Sequence, residues 1–361
     1  KGINNYLQSD KLKEIKDYLS KDKRHPYCAS CWVSEDNGVR SHRLTKQQEI
    51  MENIIDFAEL NTLNEISSDL GSSLRYLQFG NGNLISAHGG CLGDYNKYVK
   101  LLAAMKPIKD IDRVNKLGFR RFDGGRLSMI VDASPPLYGK KHEISHAGFS
   151  SFELYHGKEA VFINCGGGSR FGFEYRKYCQ SSKAHNILLL NEKSQCSFGK
   201  KNVLRSIPQY YIKDGPRKTP INYEKTITEK IIELSHDAYQ KDYGVSVHRK
   251  LSMDLLKNRL MGQETVIIEE EPKKNMTDSI VSVYFHLHPS IVYKKRSKEV
   301  VLETPGQRKM LFTHNGGKLS FEKSTYIGNF FEPQDTSKII IESNIDENGF
   351  KINWQIEEIS G

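Results

Sequence analysis

The stretch that decides the fold runs from His142 to Gln195. It opens with His142-Glu143-Ile144-Ser145-His146-Ala147-Gly148, reaches Asn164-Cys165-Gly166-Gly167-Gly168, and closes on Ala184-His185-Asn186 ahead of Gln195. Between the polar clusters, Phe149 to Tyr155 and Ala160 to Asn164 are apolar-rich runs joined by His156-Gly157-Lys158. That pattern predicts two antiparallel strands closed by a short glycine-containing turn. The clusters then fall at strand ends, where His146, Asn164 and His185 can meet although they are far apart in sequence.

Working outward, short β-forming runs dominate from about Arg113 to Ile356. Leu127 to Asp132, Asn186 to Leu190, Thr226 to Leu234, Thr265 to Glu269, Ile280 to Leu287 and Lys338 to Glu342 are separated by Gly, Asn, Asp and Lys. No helix-length amphipathic segment stands between them, so antiparallel pairing in a large β-sandwich is expected. Residues 1–110 have a helical character: Lys11 to Leu19 is amphipathic, and Gln47 to Leu63 places Ile50, Ile54, Phe57, Ala58 and Leu60 near one face. Phe79-Gly80-Asn81-Gly82-Asn83 predicts a tight turn, and Lys106-Pro107 marks the change of character. The expectation is an α+β chain of two domains, helical over 1–110 and β-sandwich over 111–361. Its first residues carry neither an initiator Met nor a leader pattern, which predicts that the natural N-terminus lies upstream.

The 361 residues carry a formal net charge of +9, which favours polyanionic partners. An acidic polysaccharide, nucleic acid or phosphate would each answer to it. The basic runs are short and lack interleaved aromatics, so a dedicated nucleic-acid surface is not indicated. No apolar run reaches the roughly 20 residues of a membrane span. Six cysteines do not make a dense disulfide framework, and both a periplasmic and a cytoplasmic location stay open. Cys28 and Cys31 have redox or zinc-ligand spacing without a second such pair. The polar loop Ser34 to Arg43 delivers Arg40, His42 and Arg43 ahead of a helix start, either as a wall of an anion-binding cleft or as a solvated loop.

In their order, these segments resemble the heparinase II/III-like family. The matching signatures are Arg75 to Gly90, Gly118 to Asp132, His146-Ala147-Gly148 with Ser151-Phe152-Glu153-Leu154, Asn164-Cys165-Gly166 and Ala184-His185-Asn186. His236-Asp237-Ala238-Tyr239, His248-Arg249 and His286-Leu287-His288-Pro289 continue the series. The resemblance implies an incomplete α/α toroid followed by a β-sandwich, and β-elimination on a uronic-acid polysaccharide. Such a site neutralises the substrate carboxylate, removes the neighbouring proton and protonates the leaving oxygen.

On this sequence Arg40, His42 and Arg43 are expected to meet the substrate carboxylate, His42 also as a catalytic group, and His146 to transfer a proton or bind a metal. Tyr239, His248 and Arg249 would either line the substrate face or close strand ends by hydrogen bonding. His146, Asn164 and His185 would form either a zinc site, completed by water or Cys165, or a hydrogen-bonded cluster pinning strand ends. Gly148 and Asn164 stand where many family members carry Asp. In the region expected to be toroid, Asp36-Asn37-Gly38 resembles the start of the catalytic loop, but no Tyr follows before Tyr76. Either the catalytic Tyr lies elsewhere, or His42 replaces it, or the reaction has been lost and the chain is a non-catalytic carbohydrate-binding or envelope-assembly protein.

Overall fold

The computed structural model describes residues 57–90, 99–100, 102–103, 118–140, 142–201, 209–269, 279–297, 299–328, 332–347 and 349–359. The chain divides into two compact units, Lys1–Leu70 and Gly71–Gly361. The expectations for Cys28, Cys31, Arg40, His42 and Arg43, and for the toroid before residue 57, lie outside the described residues. Helix α1 spans Phe57–Tyr76, continuing well beyond Leu63 because no proline intervenes. After it, Phe79 N–H donates to Asn83 O at 2.8 Å, which closes the tight turn expected there.

The second unit is built of antiparallel strands. β1 (Phe119–Gly124), β2 (Leu127–Asp132), β3 (Phe152–His156) and β4 (Glu159–Phe162) form one four-stranded sheet in sequence order. A short helix α2 (Phe173–Gln180) and a single 3-10 turn, Ser182–Ala184, lead into β5 (Leu188–Leu190). β6 (Ser197–Lys201) and β7 (Gln209–Asp214) make a ribbon of their own. Next come β8 (Ile221–Lys225), β9 (Glu229–His236), a one-turn helix α3 (Gln240–Tyr243), β10 (Val245–Asp254), β11 (Arg259–Ile268) and β12 (Ile280–His286). β13 (Val292–Arg296), β14 (Glu299–Glu303), β15 (Lys309–Asn315), β16 (Lys318–Tyr326), β17 (Gln334–Asn344) and β18 (Phe350–Ile359) complete the set.

Eight strands pair in the order β13-β14-β15-β18-β11-β10-β9-β8, and four more in the order β16-β17-β12-β5. The two four-stranded sheets are stitched end to end, since Ile163 N–H donates to His286 O at 3.0 Å and His288 N–H to Val161 O at 3.0 Å. Together they cover one face of the eight-stranded sheet. The core between the layers takes the inward residues of both, with Trp354 stacked on Phe152 at 5.6 Å and edge-on to Phe285 at 4.9 Å. Gly262 lies opposite Trp354 in the β11–β18 register, and a Cβ there would stand 2.1 Å from the indole. The β-sandwich expectation therefore holds, with strands longer than the sequence runs where β11 and β17 extend through polar residues.

Register also explains Arg249, whose side chain points inward from β10 opposite Glu264 of β11. Its Nε donates to both Glu264 oxygens at 2.9 and 3.0 Å, and its Nη1 donates to Ser150 O and Asn186 O at 2.7 Å each. Trp354 Nε1 completes the carboxylate shell at 3.1 Å. Both charges are buried, and the pair is braced by the bonds to Ser150 O, Asn186 O and Trp354 Nε1, while Arg249 Nη2 makes only the ion-pair contact. Arg249 thus ties the eight-stranded sheet to the loops at Ser150 and Asn186 instead of meeting a substrate. His248, one residue away, points to the opposite, solvent side of β10, as strand alternation requires, and bonds Ser246 Oγ at 2.9 Å. The two cannot line one face. Tyr239 is likewise a core residue, 3% exposed, with its hydroxyl donating to Lys193 O at 2.8 Å, which leaves no ring face for a sugar.

Candidate functional site

The three strand-end clusters are held by backbone. Ala147 N–H donates to Gln180 O at 2.8 Å, and Ser182 Oγ donates to Ala147 O at 2.7 Å, fixing the His146 loop to the end of α2. Ser150 adopts φ +71°, a conformation unfavourable for a side-chain-bearing residue, and is held there by bonds to Asp132 and Arg249. On this frame the His146 and His185 rings meet edge to face at 5.5 Å. Gly148 makes room for them, because a Cβ there would lie 2.8 Å from His185 Cδ2. An aspartate at this position could not be accommodated without displacing His185.

Asn186 holds the scaffold beside them. Its amide donates to Phe152 O at 2.8 Å and Ile163 O at 3.0 Å, while its Oδ1 accepts from His286 N–H at 2.6 Å. Asn164 contributes mainly through its main chain and its Oδ1, which accepts from Asn186 N–H at 3.3 Å. Asn164 N–H and Ser86 N–H donate to Glu153 Oε1 at 3.0 and 3.3 Å. Glu153 is buried on β3, and burial pushes its carboxyl up to about 8, so the group is protonated at neutral pH.

A fourth group joins the cluster that residue patterns alone did not single out. His88 Nε2 stands 3.1 Å from Asp132 Oδ2, and His88 Nδ1 accepts from the His146 backbone N–H at 3.2 Å. Asp132 ends the fully buried strand β2, and its other oxygen accepts from Ser134 N–H at 2.9 Å. A carboxylate closing an apolar strand was the available signal. Burial opposes the charged form of His88, but the Asp132 carboxylate outweighs it and raises the imidazole above its ordinary value. His146 and His185 go the other way. Burial, then His185, His88 and Arg176, hold His146 well below the usual histidine range, and burial lowers His185 to about 4. Both are neutral at pH 7. His185 Nδ1 donates to Ser181 O at 2.9 Å, which leaves its Nε2 with the lone pair.

The cluster does not fit zinc. Asn164 Oδ1 is engaged by Asn186, the Asp132 carboxylate is engaged by His88, and His146 and His185 alone do not complete a tetrahedral set. Cys165 belongs to another contact group, with Tyr178, His286 and Ser324, and burial pushes its thiol up to about 11, so it offers no thiolate. Among the described residues no group of three or more His, Cys, Asp or Glu could hold a metal ion. Of the remaining histidines, His142 is exposed in a turn, and His236 is buried against Gln195 at 2.9 Å. Arg176 of α2 is half-buried, donates to Glu143 O at 3.1 Å, and its charge contributes, after burial, His185 and His88, to holding His146 low.

The model of the heparinase II/III-like C-terminal domain matches residues 106–355. The chain belongs to the heparinase II/III-like family. Among solved structures, a heparan sulfate lyase, HepC from Pedobacter heparinus, superposes with a TM-score of 0.61 at 13% identity, covering 90% of this chain and 50% of that one. A heparinase III superposes at 0.57 with 13% identity, over 89% of this chain and 52% of its own. A further heparinase III gives 0.59 at 10% identity, over 85% and 48%. This heparinase II/III-like chain spans about half the length of these structures. No curated protein matches it. The family carries a polysaccharide-lyase fold, and among the described residues no helix is long and apolar enough to cross a membrane.

Proposed function

We propose that this heparinase II/III-like chain cleaves an acidic, uronate-containing polysaccharide by β-elimination, with residues 1–110 as the end of an α/α toroid and 111–361 as the sandwich domain. The observation that carries the proposal is the pair of neutral imidazoles, His146 and His185, locked together beside the His88–Asp132 pair and the Arg176 cation. Neutral imidazole is the form that accepts a proton. In the reaction a base takes the proton beside the carboxylate, a carbon–carbon double bond forms, the carbon–oxygen bond to the leaving sugar breaks, and an acid protonates the departing oxygen. His146 is assigned proton transfer, and Arg176, with Arg40 and Arg43, neutralises the carboxylate. His42 returns the proton. Family membership and the heparan sulfate lyase named above support a sulfated uronate chain as the substrate class.

The test is incubation of the protein, with its complete upstream sequence, with heparan sulfate, alginate and related polyuronates, following the ultraviolet absorbance of unsaturated uronate. Activity that falls by about 10²-fold or more in His146→Ala supports the assignment. One observation favours a second reading: His146 and His185 are each only 2% exposed. A non-catalytic carbohydrate-binding protein on this scaffold would keep such a cluster for structure, and would bind polyuronates without any absorbance change.

A further inference from the structure

Away from the histidine cluster, the turns after β10 and β14 meet the end of β18 around an open cavity of about 580 Å³. Its walls carry three cations, Lys257, Arg308 and Lys309, against one acid, Glu358. Lys257 and Lys309 form no ion pair among the described residues, and Arg308 reaches Glu358 only at 3.7 Å. Glu358 Oε2 also lies 3.1 Å from the buried His156 Nε2, and Glu159 adds a second carboxylate, bonded to Gly306 N–H. Three cations against two carboxylates leave a positive excess in a concave site, which favours an anion.

Both turns are built rigidly. In the first, Leu256 and Lys257 N–H groups donate to Asp254 Oδ1 at 3.0 and 2.9 Å, and Asn258 Oδ1 accepts from Arg126 and Leu127 N–H groups at 3.2 and 3.3 Å. In the second, Thr304 N–H donates to Arg308 O at 2.9 Å, Gln307 N–H to Thr304 O at 2.8 Å, and Gly306 N–H to Glu159 Oε1 at 2.6 Å. Asn258 and Gln307 sit at φ +50° and +61°, conformations kept only where the surroundings enforce them. The cations therefore stand on fixed supports, which lowers the ordering cost of binding.

We propose that this cavity is a second glycan site, taking a sulfate or carboxylate group of an acidic sugar residue on the sandwich, outside the cluster proposed for chemistry. A guanidinium offers paired donors to an oxyanion and the two ammonium groups add charge, while the cavity admits about one sugar ring with its substituent. The class of ligand follows from the proposed function, but the site is read through binding alone and stands or falls apart from cleavage.

The test is calorimetric titration of the full chain with a sulfated heparan oligosaccharide, its desulfated counterpart, an uncharged dextran oligosaccharide and inorganic sulfate. Amide chemical shifts of Lys257, Asn258 and Gly306 to Lys309 are followed alongside. The expected result is that these amides shift with the charged ligands and not with dextran, sulfate against carboxylate being distinguished by the first two arms. Lys257→Gln with Arg308→Gln weakens oligosaccharide binding by about tenfold. Glu358→Gln strengthens it, an effect that loss of folding cannot imitate. His146→Ala leaves the shifts of the cavity amides intact. Unchanged affinity in the double variant or equal response to dextran would each overturn the proposal.

Discussion

Glu153 shows how one residue links burial to pH. Its carboxyl, raised to about 8 by burial, accepts two main-chain N–H groups that hold the loop bearing His88 and the end of the strand bearing Asn164. The native state retains a proton that the unfolded chain releases above its ordinary pKa, so native stability is full below about 4.5 and falls as pH rises through about 8. Glu153→Gln keeps the acceptor oxygen and removes the titration. Its stability, measured by urea unfolding at a series of pH values, is expected to be flatter than that of the wild type between pH 5 and 8. His146 and His185 pose the complementary case: sequence showed that they could meet, while their neutral state follows from burial that only the packed structure supplies. Asp132 and His88 were within matched segments, yet their pairing spans 44 positions and has no local signature.

At the scale of elements, hairpin patterns were legible because they are local. The β3–β4 pair and its His156-Gly157-Lys158 turn follow from two apolar-rich runs, and β2 matches its predicted run from Leu127 to Asp132. The faces of β10 were not legible from its marked residues. Arg249 and His248 look like a functional pair in sequence, whereas the pleat sends one into the core and the other to solvent. Of the two roles open to Arg249, substrate contact and strand-end bracing, the structure shows the second. Arg249→Leu leaves Glu264 buried without its partner, and is expected to cost about 3–5 kcal/mol in urea unfolding. Adding Glu264→Leu should return most of that loss, because the pair is then replaced by apolar volume. Activity on polyuronates should not return with it, since the bonds to Ser150 O and Asn186 O stay absent.

Across the whole molecule, the sandwich is joined through strands distant in sequence. β5 lies beside β12 after an intervening stretch of more than 80 residues, from Leu190 to Ile280, and β18 lies between β15 and β11 in the middle of the eight-stranded sheet. Removing Phe350 to Ile359 would part β13-β14-β15 from β11-β10-β9-β8 and open the core at Trp354. Such a deletion is expected to abolish cooperative unfolding and to deprotect amides in both remnants, read by hydrogen exchange.

The central seat of β18 bears on how the chain acquires its shape during synthesis. A ribosome delivers the seven other strands of that sheet before it delivers this one, so the nascent chain exposes two unpaired inner edges while it waits. Closure over such sequence distances is slow, and bare strand edges invite pairing with neighbouring chains. Closure of the eight-stranded sheet therefore waits on its last described strand, and chaperone dependence should rise with synthesis rate.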